Sequence, residues 1–92
     1  MDPVIKDIVI ANKKGIHARP AALFVQLIDK LGVTVVVQKD SEKINGKSIM
    51  GLLTLGVQCG TSLKLVVEGE GSQKALQELE LFFSKQEEEY MS

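Results

Sequence analysis

The stretch Ala18-Arg19-Pro20-Ala21-Ala22-Leu23-Phe24-Val25-Gln26-Leu27-Ile28-Asp29-Lys30-Leu31-Gly32-Val33-Thr34-Val35-Val36-Val37 changes its periodicity once, at Gly32, and that change decides the fold. Before it, Ala21, Phe24, Val25, Ile28 and Leu31 keep the spacing of one buried helix face, which predicts a helix over 18–31. Pro20 fits the first turn, where a missing N–H costs no intrahelical bond, and Gly32 is a natural stop. After it, the β-branched run Val33–Val37 predicts a strand.

Outward from this unit the pattern alternates. Val4–Ile10 is apolar and β-branched and predicts a strand, ended by the polar stretch Ala11–Gly15. A short strand over 42–44 is expected to pair with 33–37, and Asn45-Gly46 signals a turn. Ser48 to Leu53 predicts a short helix with Ser48 at its cap. Leu63, Leu65 and Val67 mark a further strand, Gly69-Glu70-Gly71 a turn, and Ser72 the cap of a last helix carrying Ala75, Leu76, Leu79, Phe82 and Phe83. The order βαββαβα predicts an α+β, two-layer open-faced sandwich. Its four-stranded sheet should be antiparallel, with three helices on one face. The acidic tail over 86–92, with Glu87, Glu88 and Glu89, reads as a frayed end.

Ninety-two residues, 45% apolar and 25% charged, suit a single domain over 1–92 with one core and no large ligand cavity. Eleven basic and twelve acidic residues leave a net charge of −1, too weak a field to collect nucleic acid or anionic lipid. The single cysteine, Cys59, reads as a plain loop thiol without an intramolecular partner or a metal-ligating cluster, so no metal or cofactor is expected. The start Met1-Asp2-Pro3 has neither the basic residues nor the apolar run of a signal peptide, and no stretch reaches membrane-spanning length. A cytoplasmic location is the simplest fit.

The chemistry concentrates in Gly15-Ile16-His17-Ala18-Arg19-Pro20-Ala21-Ala22, which sets the only histidine at the start of the first helix. A helix N-terminus offers unpaired N–H groups and roughly half a positive charge to an anion. Here the backbone amides of Ala18 and Arg19 are the candidates, since Pro20 has none. Arg19 adds a forked, permanent cation suited to phosphate oxygens. Neutral imidazole is a nucleophile toward phosphorus and a good leaving group, and positive potential at the helix end favours the neutral ring. On these residues alone, a plain capping or loop histidine stays an open alternative.

The run Gly15–Ala22 is similar to the active-site signature of HPr, the histidine-containing phosphocarrier of the bacterial phosphoenolpyruvate:sugar phosphotransferase system. Lys47-Ser48-Ile49-Met50-Gly51-Leu52-Leu53-Thr54-Leu55-Gly56 resembles that family's regulatory-serine segment, at an interval from His17 that needs no insertion or deletion. The resemblance implies that His17 takes a phosphoryl group from enzyme I, on the ring nitrogen nearer the backbone, and passes it to EIIA domains of sugar permeases. Arg19 would stabilise the phosphate, and Ser48 would be the site of HPr kinase/phosphorylase, with a catabolite-control transcription regulator as a further partner. Ala22, Leu23, Ile49, Met50 and Leu53 match the partner-contact positions. The chain would be a phosphoryl carrier rather than a free-standing enzyme, and a monomer. Three departures stand out: Lys14 in place of a small polar residue, Gln26 and Asp29 where some relatives carry lysines, and the acidic extension of the last helix.

Phosphate on Ser48 would bring about −1.5 to −2 charges to a helix start, which the fold tolerates and a partner's docking surface does not. The alternative at Ser48 is an ordinary capping serine. A rival reading is an HPr-like regulatory or nitrogen-type relay paralogue that acts by protein binding. An enzyme with His17 as general base lacks an orienting carboxylate near it in sequence. A purely structural α+β domain would explain neither motif.

Overall fold

The computed structural model describes residues 2–11, 16 and 18–84. Seven elements follow in the predicted order: β1 (Val4–Val9), α1 (Ala18–Leu31), β2 (Thr34–Lys39), β3 (Glu42–Asn45), α2 (Ile49–Thr54), β4 (Ser62–Glu68) and α3 (Ser72–Ser84). The four strands form one sheet in the order β1-β4-β2-β3, every neighbouring pair antiparallel. Since β1 and β2 both flank β4, they run the same way, and α1 is the crossover between them. The β3–α2–β4 segment is a second crossover, passing over β2. α3 returns antiparallel to β4 and lies against β1 and α1. The three helices cover one face of the sheet, as the apolar pattern predicts.

Alternation along the strands sorts the two faces. Ile8, Val35, Val37, Leu63, Leu65 and Val67 are buried under the helices, while Ile5, Val66 and Val36 align in one row across the open face. The helical side of the core closes on three aromatic rings. Phe24 of α1 stacks 4.8 Å from Phe83, and Phe82 meets Phe83 edge-on at 5.2 Å, which joins α1 to α3. On α1 the buried stripe is centred on Pro20, Ala21, Phe24 and Ile28, and Val25 and Leu31 sit at its half-buried margins. Gly32 ends α1 as predicted. Its φ is 71° and its N–H donates to the Ile28 carbonyl at 3.0 Å, satisfying an end-of-helix acceptor.

The structure moves three boundaries. β2 extends through Gln38 and Lys39, which the sequence places beyond the strand, because they pair with Lys43 and Glu42 and leave only Asp40-Ser41 as the hairpin turn. Asp40 takes φ 55° there, a left-handed conformation that Asp tolerates better than most residues. At α3 the first helical bond runs from the Ala75 N–H to the Gly71 carbonyl, so Gly71 occupies the cap position and buried Ser72 the first helical one. Ile10 leaves the β1 ladder yet keeps both backbone bonds, to Thr61 and Gly60. The tail over 86–92 lies outside the described residues.

Candidate functional site

His17 lies outside the described residues, together with Lys14 and Gly15; the structure fixes what stands on either side. Before it, Ile16 is buried in the core, and its N–H donates to the Val57 carbonyl at 3.0 Å. That bond ties the approach to α1 onto the loop between α2 and β4. After it, Ala18 and Arg19 open α1 as exposed residues and Pro20 is buried. The first turn of α1 holds no acidic residue of its own to offset the positive end of the helix dipole. Residue 17 therefore follows a buried anchor directly and precedes the first helical residue. Cys59 reaches the same approach, with its thiol 3.8 Å from the Ala11 carbonyl.

Ser48 caps α2. Its φ and ψ are extended (−97°, 104°), and its Oγ accepts the Gly51 N–H at 3.0 Å. The approach to the cap is equally determined. The Ser48 N–H donates to the Asn45 carbonyl and the Lys47 N–H to Asn45 Oδ1, closing the turn that Asn45-Gly46 signals. Gly46 is buried there because a Cβ would stand 2.9 Å from Ile28 Cδ1 and 3.0 Å from Val35 Cβ. The far end of α2 is held by Lys39, whose ammonium donates to the Leu55 carbonyl at 2.9 Å.

Packing α1 beside α2 brings the five expected contact residues onto two adjoining elements, in two grades. Ile49 is 39% exposed and Met50 71%, so both point outward and are available to a partner. Ala22, Leu23 and Leu53 are half-buried, and Leu23 and Leu53 also pack against the core. Their apolar character therefore serves the fold as well as any docking.

Sequence reading missed the ion pair between Lys47 and Asp29, 2.8 Å apart, which links the turn before α2 to α1. A hydrogen bond from the Lys47 ammonium, and then its charge, hold the Asp29 carboxyl below the usual carboxylate range. Residues 18 positions apart carry no local signal of such a pair. A groove of about 200 Å³ near the β2–β3 turn, lined by Asp7, Gln38, Asp40, Ser62, Leu63 and Lys64, was equally silent in the sequence. Among the described residues no cluster of three or more His, Cys, Asp or Glu side chains is placed to hold a metal. Nor is any helix among them long and apolar enough to cross a membrane.

A family model described as the PTS HPr component phosphorylation site matches residues 4–85, nearly the whole of this architecture. The chain belongs to the HPr family. It is 42% identical over 87 residues to the phosphocarrier protein HPr of Treponema pallidum, covering 94% of this chain and 99% of that one. Its fold superposes on the crystal structure of HPr from Bacillus anthracis with a TM-score of 0.84 at 34% identity, covering 89% and 98% of the two chains. It also resembles the Bacillus subtilis protein Crh, solved as an intertwined dimer with a swapped domain: 46% identity, TM-score 0.70, 77% and 82% covered. Family membership makes this a phosphocarrier-type protein.

Proposed function

We propose that this HPr-family chain carries a phosphoryl group on His17, taking it from phosphorylated enzyme I and delivering it to EIIA domains of sugar permeases in the cytoplasm. The observation that supports the reading is that His17 falls in sequence between the buried Ile16 and the start of α1, whose first turn holds no acidic residue. Histidine there can attack phosphorus, and the amides of Ala18 and Arg19 with the Arg19 guanidinium receive the oxygens. The relay is a pair of in-line transfers. An imidazole nitrogen forms the N–P bond as the bond from phosphorus to its donor atom on enzyme I breaks, and in the second transfer the N–P bond breaks as phosphorus bonds to the acceptor.

Ile49 and Met50 form the outward part of the docking face, with Ala22, Leu23 and Leu53 at its margin. Ser48, inside that face, is the regulatory phosphorylation site, for HPr kinase/phosphorylase and a catabolite-control transcription regulator. The carrier works as a monomer, exposing one small face to its partners in turn. A regulatory, Crh-like role has support in the 46% identity to Crh. His17 and Arg19 favour the carrier, since a chain that only bound partners would need no nucleophile at the helix start.

Incubation with phosphoenolpyruvate and a cognate enzyme I tests the reading. Acid-labile phosphate that disappears in His17→Ala is expected. A folded protein that takes up no label would refute the carrier role and leave the Ser48-centred regulatory role.

A further inference from the structure

Lys47 stands between two residues that can compete for it. Its ammonium is held by Asp29 on α1 at 2.8 Å, while its backbone leads directly into Ser48. The turn is fixed at both positions, by Lys47 N–H to Asn45 Oδ1 and Ser48 N–H to the Asn45 carbonyl. A group added to Ser48 Oγ therefore falls on the residue next in sequence to Lys47, whose four-carbon stem provides the reach for an exchange.

We propose that Lys47 is a transferable countercharge: when Ser48 is phosphorylated, Lys47 leaves Asp29 for the phosphate and uncovers the Asp29 carboxylate on α1. This rests on the reading of Ser48 as a phosphorylation site. In the modification, Ser48 Oγ bonds to the γ-phosphorus of a nucleoside triphosphate. The bond from that phosphorus to the bridging oxygen breaks, the nucleoside diphosphate leaves, and the hydroxyl proton passes to a base on the kinase. The product carries close to two negative charges where a hydroxyl stood.

Three observations select Lys47 as the responding cation. α2 has only six residues, too short for its dipole to neutralise a dianion. Lys39 is already committed to the Leu55 carbonyl. Lys43 stands in register with Gln38 and Lys64, in a row of the open face, away from the helices. A dianion outbids a monoanion for the same ammonium, and both groups are wet enough for the exchange to be reversible. The consequence is that negative charge spreads from one residue of α2 to both helices beside Ile49 and Met50.

The test uses the full chain with phosphoserine installed at position 48 during synthesis, so that it depends on no kinase. At neutral pH, where the phosphate is dianionic, the Asp29 carboxyl carbon shift in the phosphoprotein is expected to leave its position in the unmodified protein and match that in Lys47→Met. Titration of the phosphate by phosphorus NMR is expected to move upward in Lys47→Met, which removes its countercharge. An Asp29 carboxyl shift at neutral pH that phosphorylation leaves unchanged, or a phosphate titration indifferent to Lys47→Met, overturns the exchange. Failure of the regulatory reading itself shows elsewhere, as Ser48 that takes no label from a cognate kinase and nucleoside triphosphate.

Discussion

Gly46→Ala tests how tightly the turn before Ser48 is locked into the core. The added Cβ would lie 2.9 Å from Ile28 Cδ1 and 3.0 Å from both Val35 Cβ and Val35 Cγ1, against about 3.5–4.0 Å for relaxed carbon contacts. Ile28 can give way at its tip, but Val35 Cβ is fixed to the backbone of a central strand. The Gly46 N–H, which donates to the Val35 carbonyl at 2.7 Å, prevents the turn from lifting away. Overpacking of this kind costs about 1–3 kcal/mol, offset by about 0.4–1 kcal/mol because alanine restricts the unfolded chain. The net expectation is about 1–2 kcal/mol of destabilisation, read as a lower urea midpoint at unchanged slope and a Tm lower by about 4–16 °C. Ile28→Val removes the Cδ1 atom, so the double variant should lose less than the two single losses added, by about 0.5 kcal/mol or more. A Gly46→Ala protein as stable as the parent, or strictly additive losses in the double variant, would refute the close-packing argument.

Ser48→Ala should cost about 0.5–2 kcal/mol and speed hydrogen exchange at the Gly51 amide, whereas Ser48→Asp, which keeps an acceptor, should protect that amide. Asp40→Val forces a β-branched residue to φ 55° and should cost about 1–2 kcal/mol in urea unfolding, with Asp40→Asn close to neutral. The folded-state pKa of Asp29 is depressed from its ordinary 3.8. The small stabilisation from the Lys47 pair is therefore complete above that value and lost as pH falls through the folded pKa. Unfolding measured from neutral to acid pH should show Lys47→Met differing from the parent only above that window.

The elements were legible because each rests on local chemistry. The 3.6-residue spacing from Ala21 to Ile28, the β-branched run after Gly32 and the capping hydroxyl of Ser48 all declare themselves within a few residues. The extra turn of ladder at Gln38 and Lys39 did not, since polar strand residues read as loop until their partners Lys43 and Glu42 are known. The choice of Gly71 over Ser72 as the cap depends on a carbonyl, which every residue has. Within the site, exposed Met50 and half-buried Leu53 look alike in sequence and differ only through what lies beneath them. The Asp29–Lys47 pair exists only because α1 and α2 are neighbours in space.

The position of β4 governs how the chain can come together. Of the described strands it comes last in the sequence, yet it alone pairs with β1, and it separates β1 from β2. Until residue 68 is available, the ladders of this sheet reduce to the β2–β3 hairpin, and the apolar side of β1 has no strand beside it. Pairing across some sixty residues makes for a slow search compared with helical proteins of this size. On the ribosome the first strand must wait until residue 68 has emerged, and a chain cut short of β4 leaves β1 without the strand it pairs with.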